Sequence, residues 1–185
     1  MVSTAEFRNG LVFNYEGHLY AIVEFQHVKP GKGVAFVRTR LKNVRTGAVI
    51  TPTFRSGDKV DNVRLERREM QYLYASDGFY HFMDTQNYEQ IQFTQETVKA
   101  VVPYLKENDT VEVITTDDGP IGVEMPTFTI LKVTHTEPGI RGDTATGGTK
   151  SATLETGLTI QVPLFVNIGE KLKIDTRTGS YVERA

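Results

Sequence analysis

Apolar and polar positions along this chain alternate with a period of two, in short runs that end at glycine-bearing turns. The runs "HLYAIVEF" (18–25) and "VAFVRTRL" (34–41) are rich in β-branched and aromatic residues and predict two strands flanking "VKPGKG". In the second run Val37, Thr39 and Leu41 share one face, and Phe36, Arg38 and Arg40 share the other. Glycine turns at Arg45–Gly47 and Arg55–Asp58 bracket "AVITPTF" (48–54). Short strands so closely spaced over about 60 residues predict a small SH3-like barrel.

The pattern repeats further along. "MQYLYA" (70–75), the Asp77-Gly78 turn, "FYHFM" (79–83), "TVEVIT" (110–115), the Asp117-Asp118-Gly119 turn and "IGVEM" (121–125) supply four strands toward an OB-type barrel of five strands and one helix. The helix is expected over 94–105, where Val98, Val101, Val102 and Leu105 form a stripe, Thr94 caps the start and Pro103 limits the length. "FTILKVT" (128–134) opens a third section. A polar segment without apolar periodicity follows (135–152), then "LTIQVPLFV" (158–166), "EKLKID" (170–175), the Arg177-Thr178-Gly179 turn and "SYVERA". A faint echo links "VEVITTDDGPIGVE" (111–124) to "LKIDTRTGSYVE" (172–183), a hint that the second and third sections are related. The expectation is a mainly all-β chain of three consecutive small barrels, with boundaries at 1–63, 64–126 and 127–185.

Composition narrows the class. The 185 residues are 39% hydrophobic and 24% charged, a soluble globular balance with enough apolar side chains for a core. No run approaches the ~20 apolar residues of a membrane span, and "MVSTAEFRNG" lacks a secretory pattern, so a cytoplasmic location is expected. With no cysteine there are no disulfides, thiolate metal sites or cysteine nucleophiles. The net charge of −2 conceals an uneven distribution. Residues 1–63 carry nine Lys/Arg against five Asp/Glu, whereas residues 64–126 carry five against twelve. Either the first section presents a polyanion-binding end, or the charges merely solvate separate faces.

Catalytic patterns are absent. The four histidines (His18, His27, His81, His135) have no metal-ligand spacing, and no G-x-S-x-G elbow or P-loop occurs. Gly31-Lys32-Gly33 is too short for a phosphate cradle and leads into a strand rather than a helix. Asp117-Asp118 reads as a solvated hairpin tip. No enzyme activity, metal or bound cofactor is expected. The basic first section and OB-type barrels leave room for RNA contacts, although core packing accounts for most aromatic residues.

One segment is specific. In "KSATLETGLTIQVPLFVNIG" (150–169), Lys150, Ala152, Gly157, Ile160, Val162, Pro163, Val166 and Gly169 stand at the spacing of a signature, and with them the chain resembles the bacterial elongation factor P family. The resemblance runs the whole length, through "FRNGLVFNYEGHLYAIVEFQHVKPGKG", "RTGAVITPTFRSGDKV", "YLYASDGFYHFMD" and "EPGIRGDTATGGTKSAT". It implies an SH3-like (KOW-like) domain followed by two OB domains in a tRNA-like L. It also implies a monomeric, non-enzymatic translation factor that binds the ribosome between the P and E sites and relieves stalling at consecutive prolines.

Site residues follow from the same resemblance. Pro30, Gly31, Lys32 and Gly33 form the tip. Lys32 matches the residue that takes a covalent extension from a lysine-modifying enzyme in lysine-type members, with a lysyl-type extension, an aminopentanol-type extension and a bare lysine all open, and would reach the end of the P-site peptidyl-tRNA. Lys29, Arg38 and Arg40 are expected on tRNA or ribosomal RNA. Gly142-Asp143-Thr144 matches a motif placed at the E-site mRNA codon, and Tyr181 and Arg184 match tRNA contacts. Gly31 and Gly33 would let backbone approach RNA closely, and Pro30 would stiffen the approach. The alternatives are an elongation-factor-P-like paralogue, which usually lacks "KPGKG" and "GDT", or a generic OB-type RNA-binding module indifferent to loss of Lys32.

Overall fold

The computed structural model describes residues 1–139 and 147–185. Among the described residues seventeen strands build three sheets in chain order, the all-β architecture that the alternating pattern predicts. The first holds β1 (Val2–Ser3), β2 (Val12–Tyr15), β3 (His18–Val28), β4 (Phe36–Asn43), β5 (Val49–Ile50), β6 (Thr53–Arg55) and β7 (Lys59–Asn62). Its order is β1-β7-β2-β3-β4-β5, with β6 also paired to β4. Along β4 buried and exposed residues alternate without a break, with Val37, Thr39 and Leu41 inside and Arg38 and Arg40 outside, as expected. Beneath the sheet Phe7, Phe13 and Phe54 pack at ring-centroid distances of 5.7–6.0 Å, two of the three contacts edge-on.

The second sheet contains β8 (Glu66–Ser76), β9 (Phe79–Asp84), β10 (Gln90–Thr94), β11 (Thr110–Thr116) and β12 (Gly119–Glu124), ordered β10-β9-β8-β11-β12. The third contains β13 (Phe128–Thr136), β14 (Thr149–Leu154), β15 (Thr159–Pro163), β16 (Lys171–Asp175) and β17 (Ser180–Arg184), ordered β15-β14-β13-β16-β17. Numbered within its own section, each sheet runs 3-2-1-4-5. The two echoing sequence segments are the corresponding final hairpins, β11–β12 and β16–β17. The third core is wholly aliphatic: Leu131, Val133, Leu154, Val162, Val166, Leu172 and Ile174 are at most 1% exposed. By contact density the chain divides into two compact units, residues 1–68 with 113–122 and residues 69–112 with 123–185.

Two expectations fail locally. The helix predicted over 94–105 is one short turn, α1 (Gln95–Val98), followed by a 3-10 turn over Val102–Tyr104. Pro103 has no amide hydrogen to continue the ladder. The stripe is nonetheless real, since Val98, Val101 and Leu105 are buried. Thr94 does not cap the turn through its side chain; its hydroxyl lies 3.0 Å from that of Thr97. The polar segment 135–152 also contains the start of β14, whose residues 149–151 are threonine, lysine and serine. Only the inward Ala152 and Leu154 are buried there, so the apolar period is too short to read.

Candidate functional site

The strands β3 and β4 pair up to Val28 and Phe36, and the chain between them forms a seven-residue loop, not a tight turn. The second strand starts at Phe36 instead of Val34, which is 73% exposed. Lys29, Pro30, Gly31, Lys32 and Gly33 are all exposed. Among the described residues, nothing forms an ion pair or side-chain hydrogen bond with Lys32. The two glycines differ. Gly33 has φ of +120°, which side-chain-bearing residues rarely adopt, whereas Gly31 has ordinary dihedrals and open space at its Cβ position. Backbone conformation demands glycine at 33 alone.

Below the loop, Arg38 and Arg40 project from the outer face of β4, with the Arg38 guanidinium 5.5 Å from the centre of the Phe36 ring. They lie two residues apart on one strand, roughly 6–7 Å, and so share a face. An open concavity of about 390 Å³ adjoins them, lined also by Glu24, Gln26, Thr51 and Thr53. The sequence pattern did not single out these four, because a concavity is made by neighbouring strands and not by one period.

At the C-terminal end, Tyr181 pairs with Ile174 across the β16–β17 ladder and packs half-buried against the third core. Arg184 is held from three directions. Its guanidinium sits 4.3 Å from the Phe165 ring centre, donates to the Phe165 carbonyl at 3.2 Å, and approaches Glu170 Oε2 at 3.5 Å. Phe165, Ile168 and Val182 are exposed apolar residues of this barrel. Gly142, Asp143 and Thr144 lie outside the described residues.

The signature residues turn out to be architectural. Ala152, Ile160, Val162 and Val166 are buried in the third core, and Gly157 and Gly169 take φ of +87° and +89° at turns. Lys150 Nζ donates to the Glu137 carbonyl at 2.8 Å, bracing β14 against the end of β13. Beside it Gly139 runs so close to Leu164 that an added Cβ would sit 2.5 Å from the Leu164 carbonyl oxygen. No cluster of three His, Cys, Asp or Glu side chains able to hold a metal occurs among the described residues. No helix among them is long and apolar enough to cross a membrane.

Comparison with known proteins agrees with this geometry. The family model of the elongation factor P KOW-like domain matches residues 3–60, that of the elongation factor P OB domain matches 65–123, and that of the elongation factor P C-terminal domain matches 130–184. Elongation factor P of Moorella thermoacetica is 57% identical over 185 residues, and that of Pelotomaculum thermopropionicum 55% over 184, each match covering the whole of both chains. Among solved structures, a translation initiation factor 5A from Methanococcus jannaschii superimposes with a TM-score of 0.55 at 22% identity. That match covers 68% of this chain and 90% of the other, a likeness of fold. Three domain models in register and full-length relatives above half identity lead to one conclusion: the chain belongs to the elongation factor P family.

Proposed function

We propose that this protein is a translation elongation factor that binds the ribosome between the P and E sites and stimulates peptide-bond formation by positioning the P-site peptidyl-tRNA, so relieving stalling at consecutive prolines. The observation that carries this reading is Lys32, exposed and unpaired among the described residues, on a narrow loop whose one conformationally required glycine, Gly33, directly follows it. A proline nucleophile reacts slowly because its ring restricts the attack geometry. A factor that holds the tRNA end in a near-attack arrangement supplies orientation without contributing a reacting group.

In this reading Lys32 reaches the end of the P-site tRNA, either bare or carrying a lysyl-type or aminopentanol-type extension added by a lysine-modifying enzyme. Lys29, Arg38 and Arg40 contact tRNA or ribosomal RNA from the first sheet. Residues 142–144 face the E-site mRNA codon, and Tyr181 and Arg184 face tRNA. The factor acts as a monomer in the cytoplasm.

The test is synthesis of a reporter with three consecutive prolines in a system lacking the endogenous factor, comparing this protein with its Lys32→Ala variant. Rescue by the first and not the second is expected. Equal rescue by both would remove the tip from the mechanism. The intact mass of the natively expressed protein, with that of the tryptic peptide containing Lys32, decides the state of the lysine.

A further inference from the structure

The concavity on the first sheet exists because β4 loses regular pairing on both sides at the same level. On one side β3 carries a bulge between Ile22 and Glu24, which places the exposed Val23 as an extra residue opposite β4. On the other side β5 pairs with Leu41 and Lys42, β6 pairs with Phe36 to Arg38, and Thr51-Pro52 separates the two. Pro52 cannot donate a ladder hydrogen bond. Its carbonyl instead accepts from both the amide and the hydroxyl of Thr39, at 3.1 and 2.7 Å, which ties the floor of the depression down.

Two rows of side chains cross this floor. Gln26, Arg38 and Thr53 stand opposite one another across β3, β4 and β6, while Glu24 stands opposite Arg40. Thr51 completes the second side of the lining. Among the described residues Glu24 and Arg40 form no ion pair or side-chain hydrogen bond with each other or with anything else. Two cations, one carboxylate, one amide and two hydroxyls thus face a shared space with their hydrogen-bonding capacity largely unspent.

We propose that this concavity seats a single unstacked nucleotide of an RNA strand, with Arg38 and Arg40 on its flanking phosphates and Glu24 accepting from an exocyclic amine of its base. The inference rests on the RNA-binding role proposed above and adds a nucleotide-sized subsite to it. The volume is at the small end of ligand pockets, roughly 300–1,000 Å³, and suits one nucleotide better than a duplex edge. Arg38 and Arg40, roughly 6–7 Å apart along β4, can each meet a separate phosphate. A carboxylate has only acceptors, so it selects cytosine, with its amine at position 4, over uracil, whose carbonyl occupies that position. Gln26, Thr51 and Thr53 supply donors and acceptors to the sugar and to the rest of the base edge.

The test uses the full-length protein and fluorescently labelled single-stranded RNA hexamers of cytidine and of uridine, which carry the same charge and differ at this amine. The cytidine hexamer is expected to bind roughly tenfold more tightly than the uridine hexamer. Glu24→Ala should abolish that preference, and Arg38→Ala or Arg40→Ala should weaken both hexamers alike. Amide shifts of residues 24–26, 38–40, 51 and 53 on adding the cytidine hexamer locate the site and confirm that each variant is folded. Equal binding of the two hexamers by the unaltered protein, or equal binding of a base-paired RNA of matching length, would overturn the subsite. Either result would leave the triproline reporter unaffected, so the two proposals fail separately.

Discussion

The tip of the first sheet and the C-terminal end of the third present their cations in opposite ways. Lys32 stands on an exposed loop between β3 and β4, and among the described residues nothing binds its ammonium group. Arg184 ends a strand and is engaged by a ring, a carbonyl and a carboxylate of its own barrel. A long cation left free retains its rotamer entropy and its charge for a partner; one already docked is a preorganised surface with little left to reorganise. The contrast separates a group that reaches into a site from a group that forms part of a wall.

The comparison breaks most sharply at the lysine. Lys32→Ala should lower the rate of triproline synthesis roughly ten- to a hundredfold, the scale of a lost positioning contact, while urea unfolding shifts by no more than about 0.5 kcal/mol. The wall should behave the other way. Leu131→Ala, at the centre of the aliphatic core behind Arg184, is expected to cost about 2–5 kcal/mol in urea unfolding.

The loop can be divided more finely. Gly33→Ala forces a side chain onto φ of +120° and should reduce rescue several-fold, whereas Gly31→Ala should leave the reporter rate within about twofold. If both substitutions behave alike, glycine at 33 is not setting the direction of Lys32. Arg184→Ala removes an exposed cation–π contact and a partly exposed ion pair, so the expected loss is about 0.5–1 kcal/mol, measured by urea midpoint.

The smallest effect concerns the turn before β17. Hydrogen bonds from the Arg177 side chain and amide hold the Asp175 carboxyl down at about 2, below its ordinary 3.8. A depressed carboxylate stabilises the fold above its unfolded value, and that contribution fades as pH falls from about 4 to about 2. Arg177→Ala should therefore lower the urea midpoint slightly at pH 7, with the difference from the unaltered protein vanishing near pH 2. A constant difference across that range would mean that Asp175 is not the titrating group.

Much of the fold was legible because β-sheets write their burial into the sequence with a period of two. The run Val37-Arg38-Thr39-Arg40-Leu41 specified one face of β4 before any neighbour was known, and Asp77-Gly78 marked the β8–β9 hairpin, where the two residues take φ of +53° and +80°. Where the inward positions were few, as in β14, the signal vanished into polarity. In residues 94–105 the stripe was read correctly and the continuity was not, since a helix-like spacing of apolar residues survives two short turns as well as one helix. The candidate site was legible only in part. Lys32 and its glycines stand out locally, but the 150–169 signature that linked them to a family consists of core and turn residues of a different barrel.

By itself the sequence determined the alternation of the strands, the positions of their turns and the unusual presentation of Lys32, because propensity, turn chemistry and hydrophobic period are local properties. Tertiary structure alone decided that Gly33 and not Gly31 needs its left-handed backbone, that Arg184 is docked on Phe165, and that Glu24, Gln26, Arg38, Arg40, Thr51 and Thr53 face one concavity. The last of these depends on a bulge in β3 and a proline interruption meeting across β4. Distant segments must come together before such a register exists, and no single stretch of residues records it.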